Sequence, residues 1–191
     1  MANVKISNTG FWESDEKLYH VCCTSLCDWI AEFLKDQKNK QTYDFGCGLG
    51  QYCSRLSLAG FTKLKGFEGS KHLHNEFDNI VQQDLTVPFS LDEKGNCIFL
   101  EVAEHVPAQF EDVMLTNVAN ACDDKLIMSW AIRGQAGWGH INCLNNDEAI
   151  SRVVSKGFKY LDSETMEARS KIPDNDPCPW FKNTVLVFQK V

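Results

Sequence analysis

The segment that decides the fold is Thr42-Tyr43-Asp44-Phe45-Gly46-Cys47-Gly48-Leu49-Gly50-Gln51-Tyr52. A short apolar run of strand type leads into three glycines at alternate positions, and a helical pattern begins near Leu49. Glycines so placed let the chain turn sharply and let the backbone approach a ligand with no Cβ in between. The first N–H groups of the following helix then point at that ligand. The segment predicts a small-molecule cradle at the first strand-to-helix turn of an α/β sheet.

The glycine spacing indicates which kind of cradle this is. Dinucleotide-binding folds use G-x-G-x-x-G, and phosphate loops use G-x-x-x-x-G-K-[ST]. Here the third glycine comes one place early and no Lys-Ser/Thr pair follows. The pattern D-x-G-C-G-x-G instead resembles the first motif of the class I S-adenosylmethionine (SAM) methyltransferases. A nicotinamide oxidoreductase is the alternative that this spacing disfavours.

Length and composition suit one soluble domain. The chain has 191 residues, 43% of them hydrophobic and 24% charged, and its net charge is −7 without a Lys/Arg cluster. An acidic surface repels a long phosphate backbone, so we expect no long nucleic-acid partner, although a short RNA end is not excluded. No apolar run reaches the ~20 residues that span a membrane.

The nine cysteines do not indicate a disulfide framework. Their number is odd, their spacing is irregular, no secretory leader opens the chain and no pair of CxxC motifs suggests zinc. We therefore expect reduced cysteines that pack as small apolar residues in a cytoplasmic protein. Oligomeric state, source and pathway do not follow from the sequence.

Strand patterns alternate with helical patterns along the chain, which predicts a parallel sheet with helices on both faces. Two closing runs, 158–161 and 185–189, have no helical pattern between them and look like a hairpin. This resembles the doubly wound, mostly parallel seven-stranded methyltransferase sheet with an antiparallel C-terminal strand. We expect one domain over residues 1–191, with an N-terminal lid segment and helix at 1–37 (the helix over 16–35) and the Rossmann-like core at 41–191.

Four carboxylates, those of Asp44, Glu68, Asp84 and Glu101, fall at the predicted carboxyl ends of strands, where ligands of such sheets bind. The resemblance implies that Glu68 takes the ribose hydroxyls of SAM and that Asp84 accepts from the adenine amino group. It also implies that the glycine turn holds the methionine end and that an N-terminal aromatic segment covers it. The implied cofactor residues are Trp12, Tyr19, His20, Asp44, Gly46, Cys47, Gly48, Glu68, Gly69, Asp84, Leu85 and Glu101.

The segment Glu101-Val102-Ala103-Glu104-His105 has three interpretations. It is either structural, or it supplies a general base (His105 or His140, with Glu104 nearby), or it holds a metal. E-x-x-E-H resembles the motif of small-RNA 3′-terminal ribose methyltransferases and of ubiquinone-pathway catechol O-methyltransferases. That resemblance implies Mg²⁺ or Mn²⁺ on Glu101, Glu104, His105 and His140.

The acceptor is the part of the function that the sequence defines least. The glycine-containing loop around 131–142 and the aromatic segment near 177–181 are candidate substrate walls, with Arg133, Trp138, Asn142 and Trp180 as candidate contacts. We predict a SAM-dependent methyltransferase for a small-molecule acceptor, with O-methylation favoured and a metal optional. The alternatives are N-methylation, methylation of an RNA 3′ end, and a catalytically inactive SAM-binding partner subunit.

Overall fold

The computed structural model describes residues 5–13, 20–71 and 77–191. Seven strands form one sheet in the order β3-β2-β1-β4-β5-β7-β6. The strands are β1 Thr42–Phe45, β2 Leu64–Glu68, β3 Ile80–Gln82, β4 Gly95–Phe99, β5 Cys122–Ser129, β6 Phe158–Tyr160 and β7 Val185–Lys190. The α-helices are α1 Thr24–Phe33, α2 Gln51–Leu58, α3 Glu111–Ala121, α4 Asn146–Val154, α5 Asp162–Ser170 and α6 Phe181–Thr184.

The strand directions confirm the predicted sheet. β1 pairs in parallel with both β2 and β4, and the sheet extends in parallel to β3 on one side and β5 on the other. β7 runs antiparallel to both β5 and β6, between which it is inserted. The chain leaves β1 towards β2 and later resumes on its other side with β4. The carboxyl ends of β1 and β4 therefore form the switch point at which such sheets bind ligands.

The predicted absence of a helix between the two closing strands was wrong, because α5 and α6 lie there. α5 is hard to recognise in the sequence since the residues it buries are Thr165 and Ala168 rather than a stripe of large apolar side chains. The Thr165 hydroxyl oxygen accepts a hydrogen bond from the Val187 backbone N–H at 2.9 Å, which ties α5 to β7. The two strands pair as expected, but not through a hairpin turn.

Alternation along the central strands divides the core into two layers. Cys97 and Phe99 of β4 belong to one hydrophobic cluster, and Ile98 between them belongs to the other. Both faces of β4 are therefore buried, which explains its unbroken apolar sequence. No helix in the described ranges is long and apolar enough to cross a membrane.

The N-terminal region differs from the predicted single helix over 16–35. Within the described residues, α1 begins only at Thr24, after Cys23, whose sulfur accepts a hydrogen bond from the Leu26 N–H at 3.4 Å. Residues 14–19, which include Tyr19, lie outside the described part of the chain. Residues 5–13 form a small antiparallel hairpin with a bridge between Ile6 and Trp12. We refer to residues 5–13 as the N-terminal hairpin.

Candidate cofactor and metal site

The glycine turn after β1 has the backbone conformation that its sequence requires. Gly46, Gly48 and Gly50 have φ values of 70°, 54° and 80°, a region that side-chain-bearing residues rarely adopt. A Cβ on Gly46 would lie 2.3 Å from a Val102 methyl carbon, and one on Gly48 would lie 2.5 Å from the His20 ring. The turn therefore needs glycine for both conformation and space.

Glu68, at the end of β2, holds this turn. One of its carboxylate oxygens accepts from the Gly48 N–H and the other from the Ser70 N–H, both at 2.9 Å. The side chain is buried and lines the same cavity as the turn. Each carboxylate oxygen can accept more than one hydrogen bond, which is the capacity that a ligand hydroxyl at this position would use.

Asp84 is already hydrogen-bonded within the chain. One of its oxygens accepts from the Thr9 hydroxyl at 2.9 Å, and the other accepts from the backbone N–H and hydroxyl of Thr86, at 2.9 and 2.7 Å. Leu85 is buried beside it, with its carbonyl accepting from the Asn117 side chain. The carboxylate predicted to bind adenine therefore also accepts a hydrogen bond from Thr9, at the tip of the N-terminal hairpin.

Asp44 lies buried at the base of the site. Burial, and after it the charge of Glu68, raises the pKa of the Asp44 carboxyl to about 7, while the Cys53 thiol opposes this shift with a weak hydrogen bond. A cationic ligand nearby would favour the charged carboxylate. The site therefore has an acidic group at the switch point whose charge depends on what binds.

The N-terminal hairpin covers this site. A Cβ on Gly10 would lie 2.3 Å from the His105 carbonyl oxygen, so the two backbones touch. Phe11 packs on Gly69, where a Cβ would lie 2.6 Å from it. The Trp12 ring lies 5.3 Å from the His20 ring and 5.9 Å from the His105 ring, between centroids. The hairpin thereby contacts the site on two sides, at Gly69 after β2 and at His105 after β4.

The covered cavity has a volume of about 360 Å³. Many of the residues predicted from the sequence line it: Trp12, His20, Asp44, Gly46, Cys47, Gly48, Glu68, Gly69, Asp84, Leu85, Glu101, His105, Trp138, His140 and Trp180. Three buried nitrogens of residues on its wall, His20 Nε2, His105 Nδ1 and Trp180 Nε1, have no hydrogen-bond partner among the described residues. A bound ligand that reaches them would supply the missing partners.

Replacing Gly10 by valine is expected to weaken binding of S-adenosylhomocysteine (SAH) about tenfold, or ~1.4 kcal/mol. The φ of Gly10 is +102° and its Cα faces the His105 carbonyl, so a side chain would hold the hairpin off the site. Calorimetric titration with SAH measures the effect. Gly134→Val is the matched control, because Gly134 also has a positive φ (+88°) but no atom within 4 Å of an added Cβ. Equal affinities for the two variants would contradict a role for the hairpin.

A second feature of the site is a cluster formed by Glu101, Glu104, His105 and His140. Glu101 follows β4 with a φ of 54°, and a 3₁₀ turn over Ala103–His105 places the next two side chains. The Glu104 carbonyl oxygen accepts the N–H groups of residues 141 and 142, at 3.0 and 2.9 Å. This pairing brings the loop after β5, and with it His140, to the end of β4. We call these four residues the acidic-imidazole cluster.

Glu104 is fully buried, and neither of its carboxylate oxygens has a hydrogen-bond partner of normal geometry among the described residues. Its Oε1 lies 3.9 Å from His140 Nε2. His140 Nδ1 lies 3.2 Å from the Gln135 carbonyl oxygen, which can only accept, so Nδ1 carries the proton and the neutral ring presents an Nε2 lone pair to Glu104. Two acceptors that face each other in a buried site call for a cation or a proton between them.

The titration behaviour of the cluster agrees with this. Burial and then the charge of Glu101 raise the pKa of Glu104 well above its usual range, while nearby backbone N–H groups offset only part of the shift. Burial raises the pKa of Glu101 to about 7, opposed by Ser129 and Glu104. Burial and then His140 lower the pKa of His105 to about 4. An imidazole with so low a pKa is a weak general base at neutral pH, but it is already in the neutral form that a metal ligand requires.

The structure brings three of the four predicted metal ligands together, because one ligand atom from each of Glu104, His105 and His140 lies within 4.8 Å of the others. Glu101 is outside this group but near enough for its charge to raise the pKa of Glu104. Glu101, His105 and His140 line the cavity, whereas Glu104 lies behind them without exposed surface. Carboxylate oxygens suit both Mg²⁺ and Mn²⁺, and the two imidazoles make Mn²⁺ the better fit of the two predicted ions.

Two predicted substrate contacts point elsewhere. Arg133 makes a bidentate ion pair with Glu148, at 2.9 and 2.7 Å, and does not line the cavity. The Asn142 side chain donates to Glu111 at 3.3 Å, away from the cavity lining. Sequence reasoning missed Thr9, whose partner Asp84 is 75 positions away, and for which the sequence carries no local signal.

No protein-family model matches the sequence, and no curated protein sequence matches it significantly. Solved structures do match. Magnesium protoporphyrin IX methyltransferase from Synechocystis PCC 6803, crystallised with SAM, is 17% identical, with a TM-score of 0.62 over 86% of this chain and 78% of that one. The methyltransferase domain of bacterial CtHen1-C is 14% identical, with a TM-score of 0.60 over 88% and 99% of the two chains.

The cyclase SpnF also shares the fold, at 16% identity and a TM-score of 0.61, over 97% of this chain and 87% of that one. At such identities the similarity shows the fold, and this fold is found with more than one reaction. The chain has the Rossmann-like fold of the class I SAM-dependent methyltransferases, which confirms the fold that the glycine motif and the strand pattern predicted.

Proposed function

We propose that this chain is a SAM-dependent O-methyltransferase whose acceptor is a small, uncharged molecule with two adjacent oxygens, held next to a divalent cation. The observation that carries the proposal is the Glu104 carboxylate, which is fully buried and has no hydrogen-bond partner of normal geometry among the described residues. It lies beside the rim of the cavity in which we propose that the cofactor binds. The cavity on this fold supports the cofactor, and the acidic-imidazole cluster supports the cation.

The fit to SAM rests on three groups in the chain. The Glu68 carboxylate lines the cavity at the end of β2, and we assign it to the ribose hydroxyls because its oxygens can accept more than one hydrogen bond each. The glycine turn at Gly46 and Gly48 lines the cavity with backbone that carries no Cβ, which lets the methionine end approach it. His20 packs on Gly48 through its Nδ1 side, and we assign its Nε2, which has no hydrogen-bond partner among the described residues, to the amino-acid end of the cofactor.

The fit to a divalent cation rests on the donor set of the cluster. Glu104, and Glu101 on the adjoining cavity wall, would supply hard oxygen ligands, and His105 and His140 would supply imidazole nitrogens. The Gln135 carbonyl fixes the tautomer of His140, a common outer-sphere role. When bound, the cation would lower the pKa of a coordinated hydroxyl and fix the position of its neighbour.

Methyl transfer needs alignment and exclusion of water more than it needs covalent help from the protein. The N-terminal hairpin closes one side of the cavity through Trp12, and the loop carrying Trp138 and His140 closes another. We propose that the acceptor would bind between the cluster and the turn at Gly48, where the cavity walls exclude water and leave its attacking oxygen facing the methyl group.

The charge of the cavity wall indicates an uncharged acceptor. Among the described residues that line the cavity, none is lysine or arginine, whereas Asp44, Glu68, Asp84 and Glu101 are acidic. The nearby Arg133 is already paired with Glu148. Phosphate and carboxylate groups bind where such cations are available. We therefore favour a neutral diol over an RNA 3′ end, which carries phosphate close to its terminal ribose.

The test is turnover of SAM by protein freed of metal with a chelator, with and without added Mn²⁺ or Mg²⁺. The acceptors are an aromatic ortho-diol, a ribonucleoside, an RNA oligonucleotide with a free 3′ end, and a monohydroxyl analogue. We expect methylation of a neutral diol, at least a tenfold loss of rate on metal removal, and recovery on addition of Mn²⁺. Turnover that is indifferent to the chelator would exclude the metal, and failure to bind SAH would exclude the cofactor.

A further inference from the structure

We propose that Ser129 is a positioning residue that holds Glu101 in the conformation the acidic-imidazole cluster requires. Ser129 is the last residue of β5, next to the end of β4, and is fully buried. The inference rests on the proposed metal site and deepens it, because it names the residue that orients one of the proposed metal ligands, Glu101.

The Ser129 hydroxyl contacts Glu101 twice. Its oxygen accepts from the Glu101 backbone N–H at 2.7 Å, and its proton is donated to Glu101 Oε1 at 2.8 Å. A hydroxyl can both donate and accept, and here a single side chain uses both capacities on one residue. These two bonds fix the backbone and the carboxylate of Glu101 relative to β5.

Glu101 needs such support because its backbone is strained. Its φ of 54° is the only positive value among the described non-glycine residues. A side-chain-bearing residue keeps this conformation only where its surroundings enforce it. With this backbone conformation Glu101 lines the cavity next to His105 and His140, and its carboxylate is bonded to Ser129. The sequence signal is a lone serine at the end of an apolar strand, 28 positions from its partner.

Without the hydroxyl, the Glu101 backbone is free to relax and its carboxylate loses one of the groups that orient it. A ligand that is free to move binds a cation more weakly, and outer-sphere partners of this kind typically contribute 10- to 100-fold in metal affinity. Ser129 does not line the cavity, so the effect on the cofactor should be small.

The experiment is a calorimetric titration of Mn²⁺ into chelator-stripped protein saturated with SAH. We expect Ser129→Ala to raise the Kd for Mn²⁺ at least tenfold while the Kd for SAH stays within threefold of wild type. Ser129→Cys is nearly isosteric and places a weakly hydrogen-bonding thiol at the same position, so it keeps the test available if the alanine variant does not fold. We expect it to raise the Kd for Mn²⁺ at least threefold.

Thr165→Val is the matched control. It also removes a buried hydroxyl that bonds a backbone N–H, but far along the chain from the cluster and outside the cavity lining. It should lower the melting temperature and leave the Kd for Mn²⁺ unchanged. Wild-type protein that binds no Mn²⁺ would overturn both the metal site and this inference. Wild-type affinity for Mn²⁺ in both Ser129 variants would overturn the positioning role alone.

Discussion

The variant Glu104→Gln is expected to lose Mn²⁺ binding by at least 100-fold and, without metal, to be more stable than the wild type. Glu104 is fully buried and its oxygens lack hydrogen-bond partners of normal geometry among the described residues. Leaving such a group unsatisfied costs about 1–3 kcal/mol. A glutamine amide carries no charge and can donate to His140 Nε2, which lies 3.9 Å from Glu104 Oε1 and presents a lone pair. The substitution therefore removes a proposed metal ligand and also removes the unsatisfied buried carboxylate.

The pH dependence of this effect follows from the raised pKa of Glu104. Above the pKa of the unfolded chain, the folded state keeps a proton that the unfolded state has lost, so the free energy of unfolding falls as the pH rises towards the folded pKa. Glutamine does not titrate. We therefore expect the stability difference in favour of Glu104→Gln to be small near pH 4 and to grow towards neutral pH.

Thermal or denaturant unfolding of chelator-stripped protein across this pH range measures the stability, and calorimetry measures the Mn²⁺ affinity. Glu93→Gln is the control, since Glu93 is exposed, pairs with Lys63 and precedes β4 at the opposite end of the sheet. It should change neither quantity appreciably. A Glu104→Gln protein that is less stable than the wild type at neutral pH would indicate that the Glu104 carboxylate has a stabilising partner within the protein and is not a metal ligand.

The second large effect is expected for Glu68→Gln, which should weaken SAH binding about 100-fold, or ~2.7 kcal/mol. Both Glu68 oxygens accept from backbone N–H groups, those of Gly48 and Ser70. A glutamine amide has a single oxygen, so its NH₂ group would face one of these donors in either orientation. The turn would shift, and the paired acceptor proposed for the ribose hydroxyls would be lost with it.

Measured together, the two variants separate the two halves of the site. Glu68→Gln should lose SAH and retain Mn²⁺ affinity within threefold, because the cluster belongs to the segment after β4 and the loop after β5. Glu104→Gln should show the reverse. Calorimetric titrations of both ligands into both variants decide this. Loss of both ligands in both variants would show that cofactor and metal do not occupy separable subsites.

The local chemistry of the sequence determined the sheet and the cofactor side of the cavity. The turn after β1 requires glycine at positions 46 and 48, because φ is positive there and a Cβ would clash with neighbouring side chains. The apolar run of β4 is buried on both faces. Carboxylates such as Glu68 come after strands, and parallel strands end at one edge of a sheet. The grouping of Glu101, Glu104 and His105 follows equally from their spacing. These features depend on neighbours within a few positions, so the sequence displays them.

The tertiary structure alone decided the remaining contacts, because their partners are far apart in the chain. Thr9 bonds Asp84, Arg133 turns to Glu148 rather than to the cavity, and Ser129 holds Glu101. A hydroxyl or guanidinium has several possible partners of similar energy, and packing selects among them. The position of α5 likewise depends on β7, which it contacts through Thr165. The sequence by itself determines where the chain can bind a ligand, and the tertiary structure decides which side chains are left to bind it.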